Sequence, residues 1–493
     1  MSRRLTLLTA IFTLIGSGAA AAQSPSDALQ RQWADQFLAA YADGSPGALE
    51  SFCDLYAIPD GTTAAAARSF CAGYLYRFRL RYGPVTVRSI ESRRAGPMYW
   101  LEGDVSHAVW GITFVPTEGA APKIDGAMVM QGVYPDGFPP SPPVSWSDAP
   151  GWLESYFARS AAAGVFSGSV LVARGDQILF HRAYGQADIQ TGAPNTTATR
   201  FRIASTGKIL TALAVLALVD RNRLDLDAPI SRYYPAYPAV VASQLTARHL
   251  LNHTSGLELD DFDPFAQAVA EARGLDDILA AQIRYIEHLN EGRYVNFKPL
   301  GAFDYSNEDF DLLGGLLQQV ERQPWDRVVT DLVLKPAGAT SIAFVRPTSD
   351  VARGYTTREE QGWGYVLHDA TADLRPTARP AGSQYATAED LYRVLRLAES
   401  RRKQSRAVEA ATRQQVVVDD TTAVKLGYGL GFETEQHSCF RSWGHSGVEA
   451  GVSAIARHYP DQDVTIIILA NRDGVAMDAI SYLERSLLAC PAG

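Results

Sequence analysis

Lysine is scarce in this chain: six residues against 45 basic residues in all, so almost all the positive charge is arginine. Any lysine in a patterned position is therefore not one of a crowd. Positive charge is also outweighed, with a formal net charge of −9. An acidic balance excludes a polyanion-binding role, nucleic acid included. Cysteine is limited to four residues. None has metal-ligand spacing and none is placed as a nucleophile, so neither a metal nor a cofactor is called for. The apolar run from Leu5 to about Ile15 is too short to span a bilayer, which argues against stable membrane insertion. No internal repeat or low-complexity tract is evident.

What is present reads as an exported globular protein of at least two domains. Arg3 and Arg4, the apolar run and Ala20-Ala21-Ala22 form a signal peptide over 1–22, cleaved near Ala22. A secreted or periplasmic location follows, and with it disulfides. Of three pairings, Cys53 with Cys71 and Cys439 with Cys490 close the shorter loops; free buried thiols are the alternative. Residues 23–133 read as a small α+β domain: helices over Leu29–Tyr41 and Ala64–Phe78, then strands over Val85–Ile90, Met98–Val105, Val109–Phe114 and Ala127–Gln131. Helices before antiparallel strands suggest a cone-shaped sheet, loosely like the nuclear-transport-factor and cystatin shapes. It shows no catalytic constellation, and His107 reads as a packing residue. Whether it binds peptide or wall material is open. Six prolines between Tyr134 and Trp152 mark a semi-rigid linker over 134–150.

Residues 151–493 are organised around Phe201–Ala217, FRIASTGKILTALAVLA. Ser205 and Lys208 stand three apart at the start of an apolar helix and share one face. A hydroxyl becomes a nucleophile when a neighbouring base takes its proton, and a desolvated lysine can serve. Ser400 and Lys403 repeat the spacing in the charged segment SRRKQSR, and read as solvated surface. Two further segments support Ser205 alone. FDYSNEDFDLLGG places Tyr305, Ser306 and Asn307 before a helix beginning near Phe310, and SWGHSGVEAGV places His445, Ser446 and Gly447 where a turn feeds a strand.

Ser-x-x-Lys, then Tyr-x-Asn, then a basic residue, a small hydroxyl and glycine resembles the penicillin-recognising serine hydrolases. The tyrosine points to their class C β-lactamase, D-alanyl-D-alanine carboxypeptidase and esterase branch. LTARHLLNHTSGL, ATAEDLYRV, YGLGF and ILANRDG look like the same family. The resemblance implies a serine β-lactamase-like α/β (α+β) domain, a five-stranded antiparallel sheet with a helical subdomain, and the site between them. Strands are expected at Gly168–Ala173, Ile178–Tyr184, Val416–Val418, Gly427–Glu433, Val452–Tyr459 and Val464–Leu469, with a closing helix over Met477–Leu488.

By the same resemblance Ser205 forms an acyl-enzyme. Lys208 and Tyr305 share the proton work, with the first base left open. A nearby ammonium would lower the tyrosine's pKa toward the working range. Asn307 holds Lys208 or a substrate amide, and His445, Ser446 and Gly447 bind substrate. The backbone N–H groups of Ser205 and Val448 form the oxyanion hole. His445 stands where the family usually has lysine, and a mostly neutral imidazole is a poor anchor for a carboxylate. That places an esterase or a D-Ala-D-Ala-type peptidase ahead of a β-lactamase for a small ester, amide or peptide substrate. A non-enzymatic protein recognising cell-wall peptides is the alternative. His249 and His253 in HLLNH mimic a zinc helix, but Leu250 stands where the glutamate belongs, so no metal is expected.

Overall fold

The computed structural model describes residues 25–59, 62–93, 95–131, 143–257, 263–291, 300–356, 367–372, 374–375, 377–419, 425–437 and 439–488. The signal segment, most of the proline-rich linker and Cys490, hence the Cys439–Cys490 pairing, lie outside them.

Three helices, α1 (Pro25–Asp43), α2 (Pro46–Cys53) and α3 (Ala64–Tyr82), precede an antiparallel sheet ordered β1 (Val85–Arg93), β2 (Gly96–Gly103), β3 (Val109–Pro116) and β4 (Ile124–Gln131). The α2 helix is too short to show a clear period in sequence. Ser45 caps it by accepting from the Ala48 N–H, and a Cys53–Cys71 disulfide ties it to α3. Closing so short a loop contributes about 3 kcal/mol. The core is aromatic, with Phe37 edge-on to Trp110 and Tyr82 stacked on Trp110.

This unit packs on the rest of the chain through polar groups. Arg81 makes a bidentate pair with Asp478 at 2.5 and 2.8 Å, and Arg485 donates to the His107 carbonyl at 2.6 Å. The Tyr156 hydroxyl donates to the Ser106 carbonyl at 2.9 Å, and the His107 ring stacks on Tyr482 at 4.3 Å.

Helix α4 (Ala149–Ala162) opens the larger unit. Its strands are β5 (Gly168–Arg174), β6 (Gln177–Tyr184), β7 (Val416–Asp419), β8 (Lys425–Tyr428), β9 (Glu433–Gln436), β10 (Arg441–Glu449), β11 (Val452–Tyr459) and β12 (Val464–Ala470). They form one antiparallel sheet in the order β7-β8-β9-β10-β11-β12-β5-β6. The sheet thus has eight strands where five were expected, because three short strands extend one edge. The central strands are almost continuously apolar because both faces are covered. Val170, Val172, Ile466 and Ile468 pack toward α4 and the closing helix Val475–Leu487, whereas Leu171, Ala173, Ile467 and Leu469 join the core that includes the Ser205–Lys208 region.

Two strand readings need correction. Gly427–Glu433 is not one strand: it breaks between β8 and β9, where Gly431 takes φ +85° against Ala212. The turn sets Glu433 at the first position of β9. The His445-Ser446-Gly447 triplet lies inside β10 and not at a turn feeding a strand. Its glycines look like turn signals but serve close approach. A Cβ on Gly447 would collide with the Ile203 carbonyl and sit 2.9 Å from the Ser205 nitrogen.

Candidate active site

Ser205 lies in a single 3-10 turn, Ala204–Gly207, that runs directly into the helix Lys208–Asp220, here α5. The residue before it, Ala204, takes φ +45°, a left-handed conformation costly for any residue with a Cβ. The Ala204 carbonyl accepts from the Ser383 N–H at 2.9 Å, and Gly382 passes against it where a side chain would not fit. The strain is held by this neighbouring strand of chain. It turns Ser205 toward β10.

Lys208 is fully buried. Its Nζ lies 2.8 Å from Asn307 Oδ1, 2.9 Å from the Ala381 carbonyl and 3.3 Å from Ser205 Oγ. Burial, with the Arg379 guanidinium adding to it, brings the ammonium down to about 7. Asp311, Glu308 and Glu433 act the other way. A neutral amine has two N–H donors and one lone pair. Asn307 and Ala381 accept the two N–H groups, so the lone pair is left for Ser205.

Ser306 caps the helix Asn307–Glu321, here α6, by accepting from the Asp309 N–H at 3.4 Å; the helix therefore starts three residues earlier than read from sequence. The cap sets Asn307 in the first turn, facing Lys208. Tyr305 hydrogen-bonds Ser205, and the Lys208 Nζ lies 4.6 Å from its ring centre. Burial pushes the phenol upward, Glu433 adds to the rise and the Ser205 hydrogen bond opposes it. The residue is 41% exposed, so solvent moderates that rise without reversing it. The expected lowering by an ammonium is thus not what the site gives, because burial of the phenol outweighs any pull from Lys208.

Behind Tyr305 the His253 ring packs at 4.4 Å, and the His253 carbonyl accepts from the Asp304 N–H at 2.7 Å. His253 Nδ1 accepts from the Ser306 N–H at 3.2 Å and faces Asp309 at 3.3 Å. Burial raises the Asp309 carboxyl well above its ordinary range, against the opposing hydrogen bond from Ser255. His249 contacts Thr246 instead. The two histidines of HLLNH therefore do different jobs, and neither faces the other's partners. Lys403 lies on the surface against Glu399, away from Ser205.

His445 is 2% exposed. Its Nδ1 lies 2.6 Å from the Ser446 carbonyl, an acceptor, so this nitrogen carries the proton. Nε2 then accepts from the Tyr428 hydroxyl at 2.8 Å. Burial lowers its pKa from 6.5, against an opposing pull from Glu433. Burial thus works against a charge on this ring at neutral pH. The pH profiles of KM for a neutral ester and an anionic ester are accordingly expected to run parallel above pH 6.5. Divergence there, removed by His445→Gln, would restore the ring as a charge sensor.

Glu433 is the residue that sequence reasoning missed. The Ser446 N–H donates to its Oε2 at 2.9 Å and the Ser446 hydroxyl to its Oε1 at 2.7 Å. Its position one residue after YGLGF was the available signal; the strand it opens pairs with β10 up to Gly444, just before the third motif. The same contact orients β10. Backbone N–H groups alternate along a strand, so Val448 points its N–H to the same edge as Ser446. That edge loses its β9 partner after the Glu433–Gly444 pair. Val448 N–H and Ser205 N–H thus face one space beside Gly447.

The family model described as Beta-lactamase matches residues 153–489, the unit that holds all of these groups. This chain belongs to the Beta-lactamase family. Within it, the Esterase EstB of Burkholderia gladioli is 30% identical over 338 residues, covering 59% of this chain and 84% of that protein. Protein flp of Staphylococcus aureus (strain N315) is 26% identical over 308 residues. That match covers 62% of this chain but only 59% of Protein flp. The crystal structure of penicillin binding protein from Bacillus halodurans superposes with a TM-score of 0.55 at 27% identity, over 65% of this chain and 95% of that one. In this β-lactamase-family domain the three motifs meet at one cleft. A hydrolase of the acyl-enzyme kind is what the family and its esterase relative support.

Proposed function

We propose that this protein is an exported serine hydrolase that carries Ser205 through an acyl-enzyme on a small ester or amide. The observation that carries the reading is the Lys208 environment: two acceptors at 2.8 and 2.9 Å, and a lone pair left toward Ser205 Oγ at 3.3 Å. A base that titrates near the working pH is partly neutral and still accepts protons well. Lys208 is therefore the first base. The Ser205 proton passes to Lys208 Nζ as Oγ bonds to the carbonyl carbon. The oxyanion is held by the N–H groups of Ser205 and Val448. Tyr305, a neutral phenol between Ser205 and the open cleft, hands a proton to the departing oxygen or nitrogen and is resupplied by Lys208. Water repeats the sequence in reverse to release the acid.

The relative named as an esterase supports ester cleavage ahead of β-lactam cleavage, as does the neutral His445. A fluorophosphonate probe tests the reading. The expected result is one covalent adduct on the peptide holding Ser205, together with turnover of short-chain esters. No adduct and no ester turnover would overturn it, and a penicillin label without turnover would favour wall-peptide recognition instead.

The pH dependence has a definite sign. Neutral lysine is the active form, so kcat/KM for a neutral ester should rise with pH through about 7 and then level. Asn307→Asp puts a carboxylate on the ammonium and should move that limb upward by roughly one to two pH units. An unmoved limb would assign it to another group.

A further inference from the structure

The third motif presents a carboxylate to the cleft. Both Glu433 oxygens accept from Ser446, one from its N–H and one from its hydroxyl. A carboxylate offers about four acceptor sites, so roughly two remain. The side chain is 30% exposed, which leaves them open to the cleft. His445 Nδ1 lies 3.4 Å away but gives its proton to the Ser446 carbonyl. Among the described residues no lysine or arginine forms an ion pair with Glu433. Arg379, whose charge acts on Lys208, pairs with Asp311 and Glu308, and Arg202 pairs with Glu449. Lys208 is discharged toward neutrality. The Ser446 hydroxyl, a donor that would meet a substrate anion, is already given to Glu433.

Distance makes this charge relevant to the reaction. Ser446 and Val448 lie two residues apart on one strand edge, about 7 Å. Gly447 between them abuts the Ser205 nitrogen. A group two to four bonds from the scissile carbonyl reaches about 2.5–5 Å, and its contact of about 2.8 Å to a carboxylate oxygen brings the total to roughly 5–8 Å.

We infer that Glu433 makes the third-motif subsite a cation-binding one, selecting substrates with a protonated or quaternary amine close to the scissile bond and rejecting those with a carboxylate there. This rests on the hydrolase reading above and deepens it to a substrate class: aminoacyl esters or amides, or esters of amino alcohols and thiols. β-Lactams and peptides ending in a free carboxylate fall in the rejected class.

Two matched series test it, one for each side of the bond. Acetylthiocholine, S-butyl thioacetate and S-acetyl-mercaptopropionate vary the leaving group. Alanyl, butyryl and succinyl p-nitroanilides vary the acyl group. In at least one series the cationic member should exceed the neutral one in kcat/KM by about tenfold, mainly through KM, with the anionic member poorest. Glu433→Gln should bring the cation-to-neutral ratio toward one. Reading the ratio within each variant cancels any common loss, and stoichiometric fluorophosphonate labelling shows that the variant site is folded. In the wild type the same ratio should fall as salt is raised. A ratio unchanged by Glu433→Gln or by salt, or an anionic member preferred, overturns the inference while ester turnover and Ser205 labelling leave the hydrolase reading standing. Loss of both labelling and turnover in the wild type overturns the two together.

Discussion

Ser205→Ala is expected to abolish fluorophosphonate labelling and to lower ester turnover by at least about 10⁴-fold, because it removes the one atom that forms the acyl bond. The fold should be untouched. The change deletes a half-buried hydroxyl, while the backbone N–H of the residue and the φ +45° strain at Ala204 stay as they are. Circular dichroism and the unfolding midpoint should match the wild type. Ser400→Ala is the internal control, since it has the same spacing to a lysine and lies at the surface end of helix Ala388–Arg402. It should change nothing. Normal labelling of Ser205→Ala, or loss of activity in Ser400→Ala, would show that the nucleophile lies elsewhere.

Lys208 should give the second-largest loss. Lys208→Met removes the base and is expected to lower acylation by about 10³-fold. Lys208→Arg should not recover it, because a guanidinium keeps its proton at any working pH. Stability should fall far less than activity, if at all. The fall in the lysine pKa from 10.5 to about 7 amounts to about 5 kcal/mol charged against the folded state. Between those pH values the unfolded lysine holds a proton that the folded one has lost, so stability rises with pH across that window. The penalty is fully present below about 7 and gone above 10.5. Methionine relieves it but strands the Asn307 amide oxygen and the Ala381 carbonyl, which costs about 1–3 kcal/mol each. Urea unfolding at neutral pH should therefore place Lys208→Met between about 1 kcal/mol less and 3 kcal/mol more stable than the wild type. Full acylation activity in the arginine variant would remove lysine from the proton path.

The family's three motifs were legible because each is short, local and chemically distinctive. Ser205 and Lys208 are three apart on one helical turn, and Tyr305 and Asn307 flank a capping serine. The apolar runs over 168–174, 452–459 and 464–470 were equally readable, because strands buried on both faces carry uninterrupted Val, Ile, Leu and Ala. Other features depend on parts of the chain far apart in sequence. The break after Tyr428 is set by Ala212, against which only a glycine fits, and this turned one expected strand into two and added to the sheet's edge. The glycines of SWGHSG read as a turn, yet β10 needs Gly447 to pass the Ile203 carbonyl and the Ser205 nitrogen, and Gly444 to pass the Ala456 carbonyl.

By itself, then, the sequence determined which side chains are candidates for acyl transfer and the order of elements that carry them, since spacing and apolar period are local properties. Only the tertiary structure decided what surrounds them. Lys208 is lowered toward neutral pH because several segments bury it together, and burial lowers His445 likewise, whereas Tyr305 is partly exposed and a phenol is neutral at its ordinary pKa. Glu433 stands in the cleft because β9 pairs with β10, an arrangement no local pattern encodes.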